Sequence, residues 1–167
     1  MRIPAPECWL HDDVSVARSN IAGLGLFAAA AIPEGTAVSR LGGRLCSTAE
    51  LRNLTGVDSI LLDDDVHLVL APGNRNHYGN HSCDPNLWWT DEYTLSARHD
   101  IAAGQELTRD YSTSCADPQF VLRCHCETYR CRQMVTGDDW RIPQLQRWYA
   151  GHWSPFLQRL VAPGGRP

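Results

Sequence analysis

Three cysteines between residues 124 and 131 constrain the fold more than any other feature of the 167-residue sequence. Cys124, Cys126 and Cys131 follow the spacing C-x-C-x4-C, which allows three thiolates to meet at one zinc ion with sulfur distances of about 2.3 Å. A closed structural zinc site needs a fourth ligand. Cys115 is the local possibility and Cys83 the distant one. The cluster therefore predicts a segment that binds zinc, with either Cys115 or Cys83 as the fourth ligand.

The N-terminus and the net charge limit where such a chain works and what it binds. Residues 1–9 contain prolines and an acid where a signal peptide needs an apolar run, and we see no run long enough to cross a bilayer. We therefore expect a protein that is neither secreted nor membrane-bound, cytoplasmic or associated with the nucleus or nucleoid, with reduced thiols. The net charge of −4 argues against direct nucleic-acid binding, which needs a basic stripe.

Short apolar runs separated by turn residues predict a mostly β fold for the first 130 residues. A capping box at Ser47-Thr-Ala-Glu50 predicts a short helix that ends near Leu54. The three aspartates from Asp63 to Asp65 fit a solvated turn better than a metal site. The strand-like segments are 36–41, 57–62, 66–70, 87–90 and 93–97, the last two paired as a hairpin.

After residue 130, the C-terminal tail, residues 135–167, carries helical signals. Pro143–Ala150 has proline near its start and glycine after its end, and Ser154-Pro155 opens a second helix to about Val161. We expect the apolar face of this short helical hairpin to pack on the body of the domain, with a homodimer surface as the alternative. Monomer and homodimer both stay open. The face is formed by Trp140, Trp148, Trp153 and Phe156.

A polar run over residues 73–86, between two apolar strand regions, is a second candidate site. Side chains such as Asn80, His81 and Ser82 can bind a polar ligand, but they also suit the backbone of any elaborate loop. Spacing alone does not separate these interpretations. A third segment, Glu106–Tyr111, is a strand that ends in a tyrosine.

Taken in order, these segments resemble the SET-domain protein lysine methyltransferases. The resemblance rests on Gly23-Leu-Gly25, the N-H-S-C-D-P-N run from Asn80, the E-L-T-R-D-Y run from Glu106, and the cysteine trio. It implies a SET fold, β-clip-like, with several small sheets and the two middle motifs threaded as a pseudoknot. The implied divisions are a SET domain over 14–113, a post-SET zinc segment over 114–134 and the helical tail over 135–167.

The resemblance also implies a set of site residues. Tyr111 takes the place of the catalytic tyrosine, expected to orient the amine and the methyl group rather than act as a strong base. Structural Zn²⁺ would be shared by Cys83, Cys124, Cys126 and Cys131, which favours Cys83 over Cys115. The methyl donor S-adenosylmethionine would contact Gly23, Leu24, Gly25, Leu26, Tyr78, Asn80, His81, Tyr111 and His125.

Two arginines depart from the family pattern in the implied substrate channel of Arg40, Trp88 and Arg109. Arg109 stands where an aromatic residue usually helps to set the number of methyl groups, and Arg40 stands where a channel tyrosine is common. The number of methyl groups is therefore left open.

The implied activity is methyl transfer from S-adenosylmethionine to the lysine side chain of a protein. A histone or histone-like basic protein would suit the acidic residues 63–65, Asp91 and Glu92. Alternatives are an inactive SET-like, zinc-stabilised protein-binding module, favoured by Arg40 and Arg109, and a methyltransferase for a non-lysine amine. A zinc-finger nucleic-acid binder ranks last, because the chain is acidic and no basic helix follows the cysteines.

Overall fold

The computed structural model describes residues 2–162 and builds them from short elements. Three α-helices are described: α1 (Thr48–Leu51), α2 (Pro143–Trp148) and α3 (Pro155–Val161). Single turns of 3-10 helix cover Asn76–Tyr78, Tyr111–Thr113 and Asp139–Arg141. The strands of the described range are β1 (Trp9–Leu10), β2 (Val14–Arg18), β3 (Leu24–Ala28), β4 (Ala37–Arg40), β5 (Gly43–Cys46), β6 (Ser59–Asp63), β7 (Val66–Leu70), β8 (Leu87–Trp89), β9 (Thr94–Ala97), β10 (Glu106–Leu107), β11 (Val121–Arg123) and β12 (Met134–Thr136).

These strands form small antiparallel sheets instead of one continuous sheet. Their orders are β1-β4-β9-β8, β10-β3-β2 and β5-β7-β6, and β11 pairs with β12 alone. Strand β10 joins β3 in a register that places Leu107 opposite Leu26, so the segment leading to Tyr111 begins beside the glycine-rich strand. The arrangement confirms the predicted mostly β class with several small sheets.

The hydrophobic core lies between the first three sheets. Leu26, Val38, Leu68, Trp89 and Leu107 are among its fully buried members. Successive side chains of a strand point to opposite faces of its sheet. Strands β3, β4, β8 and β10 therefore each present one face to the interior, where the candidate site lies.

The capping box is present as predicted, but the helix that it opens is shorter. The Ser47 hydroxyl accepts from the Glu50 backbone N–H, and the Glu50 carboxylate accepts from the Ser47 N–H at 2.8 Å. Helix α1 ends at Leu51, three residues before the predicted end. The Asn53 side chain donates to the Ala49 carbonyl at 3.1 Å, which satisfies a helix-end acceptor locally.

The predicted tail helices are present as α2 and α3 and have an apolar cluster of their own. Trp140, Leu145, Tyr149, Trp153 and Leu157 are its buried residues. The predicted tail extends to residue 167, and residues 163–167 lie outside the described residues. Over residues 2–162, no helix combines the length and the apolar character that a membrane span needs.

The tail also contacts the body of the domain, although its buried apolar residues form a cluster mainly within the tail. The His152 ring stacks on Trp88 with 3.4 Å between ring centroids, and the Ser154 N–H donates to the Thr113 carbonyl at 2.8 Å. The tail therefore reaches the short helical turn that contains Tyr111.

Candidate active site

Two segments that are far apart in the sequence run side by side at the centre of the site. His81 and Arg109 form a parallel bridge, in which the Arg109 N–H donates to the Asn80 carbonyl and the Ser82 N–H donates to the Arg109 carbonyl, each at 3.1 Å. The Asn86 side chain donates to the Glu106 carbonyl at 2.8 Å. We call this pairing of residues 79–86 with 106–111 the motif crossing.

Tyr111 is the last residue of the motif crossing, and hydrogen bonds fix both its backbone and its side chain. Its backbone N–H donates to His81 Nδ1 at 3.1 Å, and its hydroxyl donates to the Gly79 carbonyl at 3.0 Å. The edge of its ring lies against the His81 ring, with 5.3 Å between centroids. The phenol therefore has one orientation, set by the polar run 79–81.

His81 connects Tyr111 to the cysteine cluster. Because Nδ1 accepts from the Tyr111 N–H, the ring proton resides on Nε2, which lies 3.3 Å from Cys83 Sγ. Burial of the ring lowers the pKa of His81 to about 4, against the opposing effect of the Asp110 charge. His81 is therefore a neutral link between one thiol and the backbone of Tyr111.

Asn80 shapes the loop that carries the predicted cofactor-binding glycines. Its amide donates to the Ala22 and Leu24 carbonyls, each at 3.1 Å. Between these two residues Gly23 has a φ of +54°, a left-handed conformation that costs a side-chain-bearing residue more than it costs glycine. The loop 22–24 is thus bent around the Asn80 amide.

The second glycine of the loop is required by a close neighbour. A Cβ atom at Gly25 would overlap the Glu106 carboxylate. That carboxylate is held at this position by Asn80, whose amide donates at 2.8 Å, and by Ser19, whose hydroxyl donates at 2.9 Å. Gly25 therefore allows the glycine loop to lie directly against the motif crossing.

Tyr111 lines a cavity of ≈ 660 Å³. Gly79, Leu26 and Arg109 line the same cavity, together with the half-buried thiol of Cys115. The acidic residues Asp58, Asp64 and Asp117 are exposed lining residues, which places carboxylates on its solvent side. The apolar part of the wall is formed by Leu26, Leu41, Leu51, Ile60, Leu61, Leu70, Leu87, Leu95, Leu107, Ala116 and Phe120.

Of the predicted channel residues, the structure brings only Arg109 to this cavity. Its guanidinium carbon lies 4.7 Å from the centroid of the Tyr111 ring, and its Nη1 donates to the Ser114 hydroxyl at 2.6 Å. Arg109 therefore covers one face of the tyrosine that the family resemblance implies as the catalytic residue.

The assignment of Arg40 and Trp88 to the channel is not supported by this arrangement. On β4 it is Ser39 that lines the cavity, and on β8 it is Leu87. Adjacent strand residues point to opposite faces, so Arg40 faces outward, 5.7 Å above the Trp9 ring. Trp88 likewise turns away from the cavity and stacks on His152 of the tail.

Of the nine predicted cofactor contacts, Leu26 and Tyr111 line this cavity and the other seven do not. These seven are Gly23, Leu24, Gly25, Tyr78, Asn80, His81 and His125. His125 is exposed. Tyr78 is half-buried, packs against the main core and holds its ring 3.9 Å from that of His77. Neither of the two side chains is among the residues that line the cavity with Tyr111.

The four predicted zinc ligands come together in space. The thiols of Cys83, Cys124, Cys126 and Cys131 all lie within 4.8 Å of one another, whereas Cys115 lines the cavity instead. Four sulfur donors at this separation suit a tetrahedral zinc ion.

The backbone around these thiols also suits negatively charged sulfur. The Arg132 N–H donates to Cys83 Sγ at 3.3 Å, and the Cys83 N–H donates to Cys126 Sγ at 3.5 Å. Burial raises the pKa of Cys83 to about 11. For Cys126, burial acts in the same direction but is outweighed by the Cys83 N–H and by Thr128, which lower its pKa to about 6. Bound metal would favour the thiolate form throughout.

A buried ionic network beside Tyr111 was not anticipated from the sequence. The Asp110 carboxylate, 1% exposed, receives two hydrogen bonds from the Arg132 guanidinium at 2.7 and 2.8 Å and one from the Tyr149 hydroxyl at 3.2 Å. Burial opposes ionisation, but the Arg132 charge outweighs it and lowers the pKa of Asp110. Arg132 also pairs with Asp139 at 3.0 Å.

This network joins three regions of the chain. Asp110 belongs to the motif crossing, Arg132 directly follows the last cysteine, and Tyr149 follows α2 of the tail. The positions of Asp110 and Arg132 next to recognisable motifs were a usable signal. No sequence pattern distinguishes Tyr149 from the other aromatic residues of the tail.

Comparison with known proteins agrees with this geometry. A family model described as SET domain matches residues 23–112. The chain belongs to the SET-domain family. Histone-lysine N-methyltransferase trr of Drosophila melanogaster is 32% identical over 142 residues, which cover 75% of this chain and 6% of that protein. Histone-lysine N-methyltransferase ash1 of the same species is 29% identical over 132 residues, with 68% and 6% covered.

A solved structure is similar over the same part of the chain. KRYPTONITE in complex with mCHG DNA and SAH superposes with a TM-score of 0.59 and 26% identity, covering 75% of this chain and 29% of that one. The chain therefore spans only a small part of the length of the relatives that it matches.

Proposed function

We propose that the protein transfers a methyl group from S-adenosylmethionine to the side-chain amine of a lysine in a protein or peptide substrate. The carrying observation is that Tyr111 is fixed by residues 79–81 at the wall of a largely apolar cavity. Two matched relatives are named histone-lysine N-methyltransferases, and KRYPTONITE was solved with SAH. A histone or histone-like basic protein is the substrate that these names and the exposed carboxylates of the cavity favour.

The residues around the glycine loop suit the methyl donor. The loop 22–24 lies against Asn80 and Glu106, both part of the motif crossing that positions Tyr111. Gly23, Leu24 and Asn80 would hold the donor from this side, and Leu26 would contact it from β3. When bound, S-adenosylmethionine supplies an electrophilic methyl group on a sulfonium centre.

The cavity prepares the lysine amine. Only the neutral amine has a free lone pair. Lysine in water has a pKa of about 10.4, so at pH 7 the protonated form is favoured by about 4.6 kcal/mol. Leu41, Leu95 and Leu107 line the cavity and exclude water around the amine. Desolvation of this kind disfavours the charged form of an amine.

Tyr111 orients the amine. Its hydroxyl proton is already donated to the Gly79 carbonyl, so the phenolic oxygen presents lone pairs to the cavity. Those lone pairs can accept an N–H of the amine and direct its nitrogen lone pair. Fixing one reactant in a reactive geometry contributes to rate through entropy lost before the chemical step.

Zinc would act as a structural ion. Four thiolates leave no open position for substrate, so the metal would not act as a Lewis acid. Its position would hold residues 124–131 against Cys83, whose thiol contacts His81. Zinc would therefore support the same residues that orient Tyr111.

Methyl transfer is tested by incubating the protein with donor labelled in its methyl group and with unfractionated histones. Label on histone lysines is expected. The chain contains no lysine, so label on the protein itself would indicate other chemistry. An inactive binding module, the second candidate because Arg109 occupies the cavity, would retain histone binding and leave histones unlabelled.

A further inference from the structure

Arg109 places a positive charge in the cavity without an ion-pair partner. Its guanidinium contacts the Tyr111 ring and the Ser114 hydroxyl, and it forms no salt bridge with a carboxylate in the described part of the chain. Arginine stays protonated at any working pH. The charge at this position is therefore permanent and lies next to the tyrosine that is expected to orient the substrate amine.

The other charged groups of the cavity are arranged differently. The carboxylates that line it are exposed, whereas Arg109 is half-buried beside Tyr111. Exposed carboxylates attract a cationic side chain to the opening, and a fixed cation further in opposes the charge of that side chain. The remaining titratable groups that face the cavity are Asp58, Asp64, His67, His77, Tyr111, Cys115 and Asp117.

We propose that Arg109 is a specificity-determining residue that makes the cavity select the neutral form of the substrate amine and lowers the pH at which lysine is methylated. The inference rests on the proposed function, which it deepens by assigning a role to a residue that departs from the family pattern. Like charges at close range destabilise each other, so an ammonium group beside the guanidinium loses its proton at lower pH.

The proton balance is simple. The bound ammonium group releases one proton to solvent and becomes the neutral amine. The new N–C bond then forms as the C–S bond of the donor breaks, which leaves a methylated ammonium. No oxidant, reductant or protein base is consumed in these steps. Arg109 keeps its own protons throughout and acts only through its charge.

The test compares the pH dependence of kcat in three proteins with a histone-tail peptide that contains one lysine. Arg109→Gln removes the charge and keeps a donor for Ser114, and Arg109→Lys retains the charge. We expect the apparent pKa in the kcat profile to rise by about one unit in Arg109→Gln. Its kcat should then be about tenfold lower at pH 7 and approach that of the wild type near pH 10.

The conservative variant and binding measurements separate this effect from a structural one. Arg109→Lys should keep the wild-type pH profile. At pH 7 Arg109→Gln should bind the lysine peptide more tightly although it turns over more slowly, while a peptide with norleucine in place of lysine should bind both proteins equally. The proposal would be overturned if the wild type and Arg109→Gln showed the same apparent pKa in their kcat profiles and differed only by a constant factor.

A second measurement does not require turnover. Titration calorimetry at pH 8 in two buffers of different ionisation enthalpy reports protons released when the peptide binds. The wild type should release a larger fraction of a proton than Arg109→Gln, and the norleucine peptide should release none. Proton release that depends on Arg109, without methyl transfer, would contradict the proposed activity but leave standing the selection of the neutral amine by Arg109. Methyl transfer without a charge-dependent profile, or no proton release on binding, would reject that role.

Discussion

The motif crossing and the C-terminal tail support Tyr111 by different means. The crossing holds it through directed hydrogen bonds, from its N–H to His81 and from its hydroxyl to Gly79. The tail is built around an apolar cluster and reaches the same turn through a few polar contacts, among them Tyr149 to Asp110. The crossing therefore sets the orientation of Tyr111, and the tail secures the network behind it.

The largest effect should come from removing the metal, because the cysteine cluster supports the crossing. Structural zinc contributes about 10–16 kcal/mol of apparent binding free energy in small domains. A chelator or Cys131→Ser should lower the thermal midpoint, the cofactor affinity and the methyl transfer together. Metal analysis should find one zinc per chain in the wild type and none in the variant.

Cys8→Ser provides the matched control for this prediction. The Cys8 thiol donates to the Gly42 carbonyl at 3.2 Å, a contact that serine can keep, and it lies outside the cluster of four thiols. This variant should retain the zinc and the activity. Full activity in protein shown to be free of metal would contradict the supporting role of the cluster.

The next largest effect concerns Asp110, the centre of the buried ionic network that links the motif crossing to the tail. Asp110→Asn leaves the Arg132 charge partly buried without its main partner, which costs about 3–5 kcal/mol. The lowered pKa of Asp110 sets the pH window: its stabilisation is fully present above the unfolded-state value near pH 4 and is lost as pH falls through the folded-state value.

Urea unfolding of the wild type and Asp110→Asn between pH 7 and pH 3 measures this contribution. The difference in the free energy of unfolding should be constant from pH 7 to pH 5 and should shrink below pH 4. A difference that does not change with acidification would show that ionised Asp110 is not the group responsible.

Tyr149→Phe tests how much the tail stabilises the buried ionic network around Asp110. It removes one hydroxyl that donates to a buried carboxylate and keeps the ring within the apolar cluster, so we expect a loss of about 1–3 kcal/mol. The free energy of unfolding and kcat should both fall, with little change in cofactor affinity. Tyr129→Phe is the control, because Tyr129 is 83% exposed. Equal free energies of unfolding and equal kcat values for Tyr149→Phe and Tyr129→Phe would show that the Tyr149 hydroxyl does not stabilise the ionic network.

The smallest effect is expected at Arg40. Its side chain faces outward over Trp9, and surface substitutions usually change stability by less than about 0.5 kcal/mol. Arg40→Gln should therefore keep kcat and its pH dependence close to those of the wild type, in contrast to Arg109→Gln. A shifted pH profile of kcat in Arg40→Gln would show that Arg40 acts in the substrate channel, as the sequence analysis expected.

The sequence predicted the segments of the site better than the directions of their side chains. That residues 80–86 and 106–111 meet was implied by the resemblance to the SET-domain family, and their polar composition alone did not indicate it. Arg40 was misplaced because its direction depends on pairing with β1, a strand of two residues, in which Trp9 faces Arg40. A strand this short leaves no apolar periodicity in the sequence.

Long-range docking explains the other differences. The tail helices follow from proline and glycine positions, but the contact between Asp110 and Tyr149, which follows α2, depends on how the tail packs against the body. Trp88 was expected in the channel and instead stacks on His152, a residue of the same tail. Local sequence patterns do not encode such contacts between distant segments.

Tyr111→Phe gives the most direct test of the account, because it removes only the hydroxyl that the motif crossing fixes. Label transfer to histone lysines and binding of S-adenosylmethionine are measured in the same preparation. The account predicts that transfer falls by a factor of 100 or more, on the order of 3 kcal/mol in the barrier, while donor binding stays within about twofold. Near-normal transfer by Tyr111→Phe would contradict the central role of this phenol.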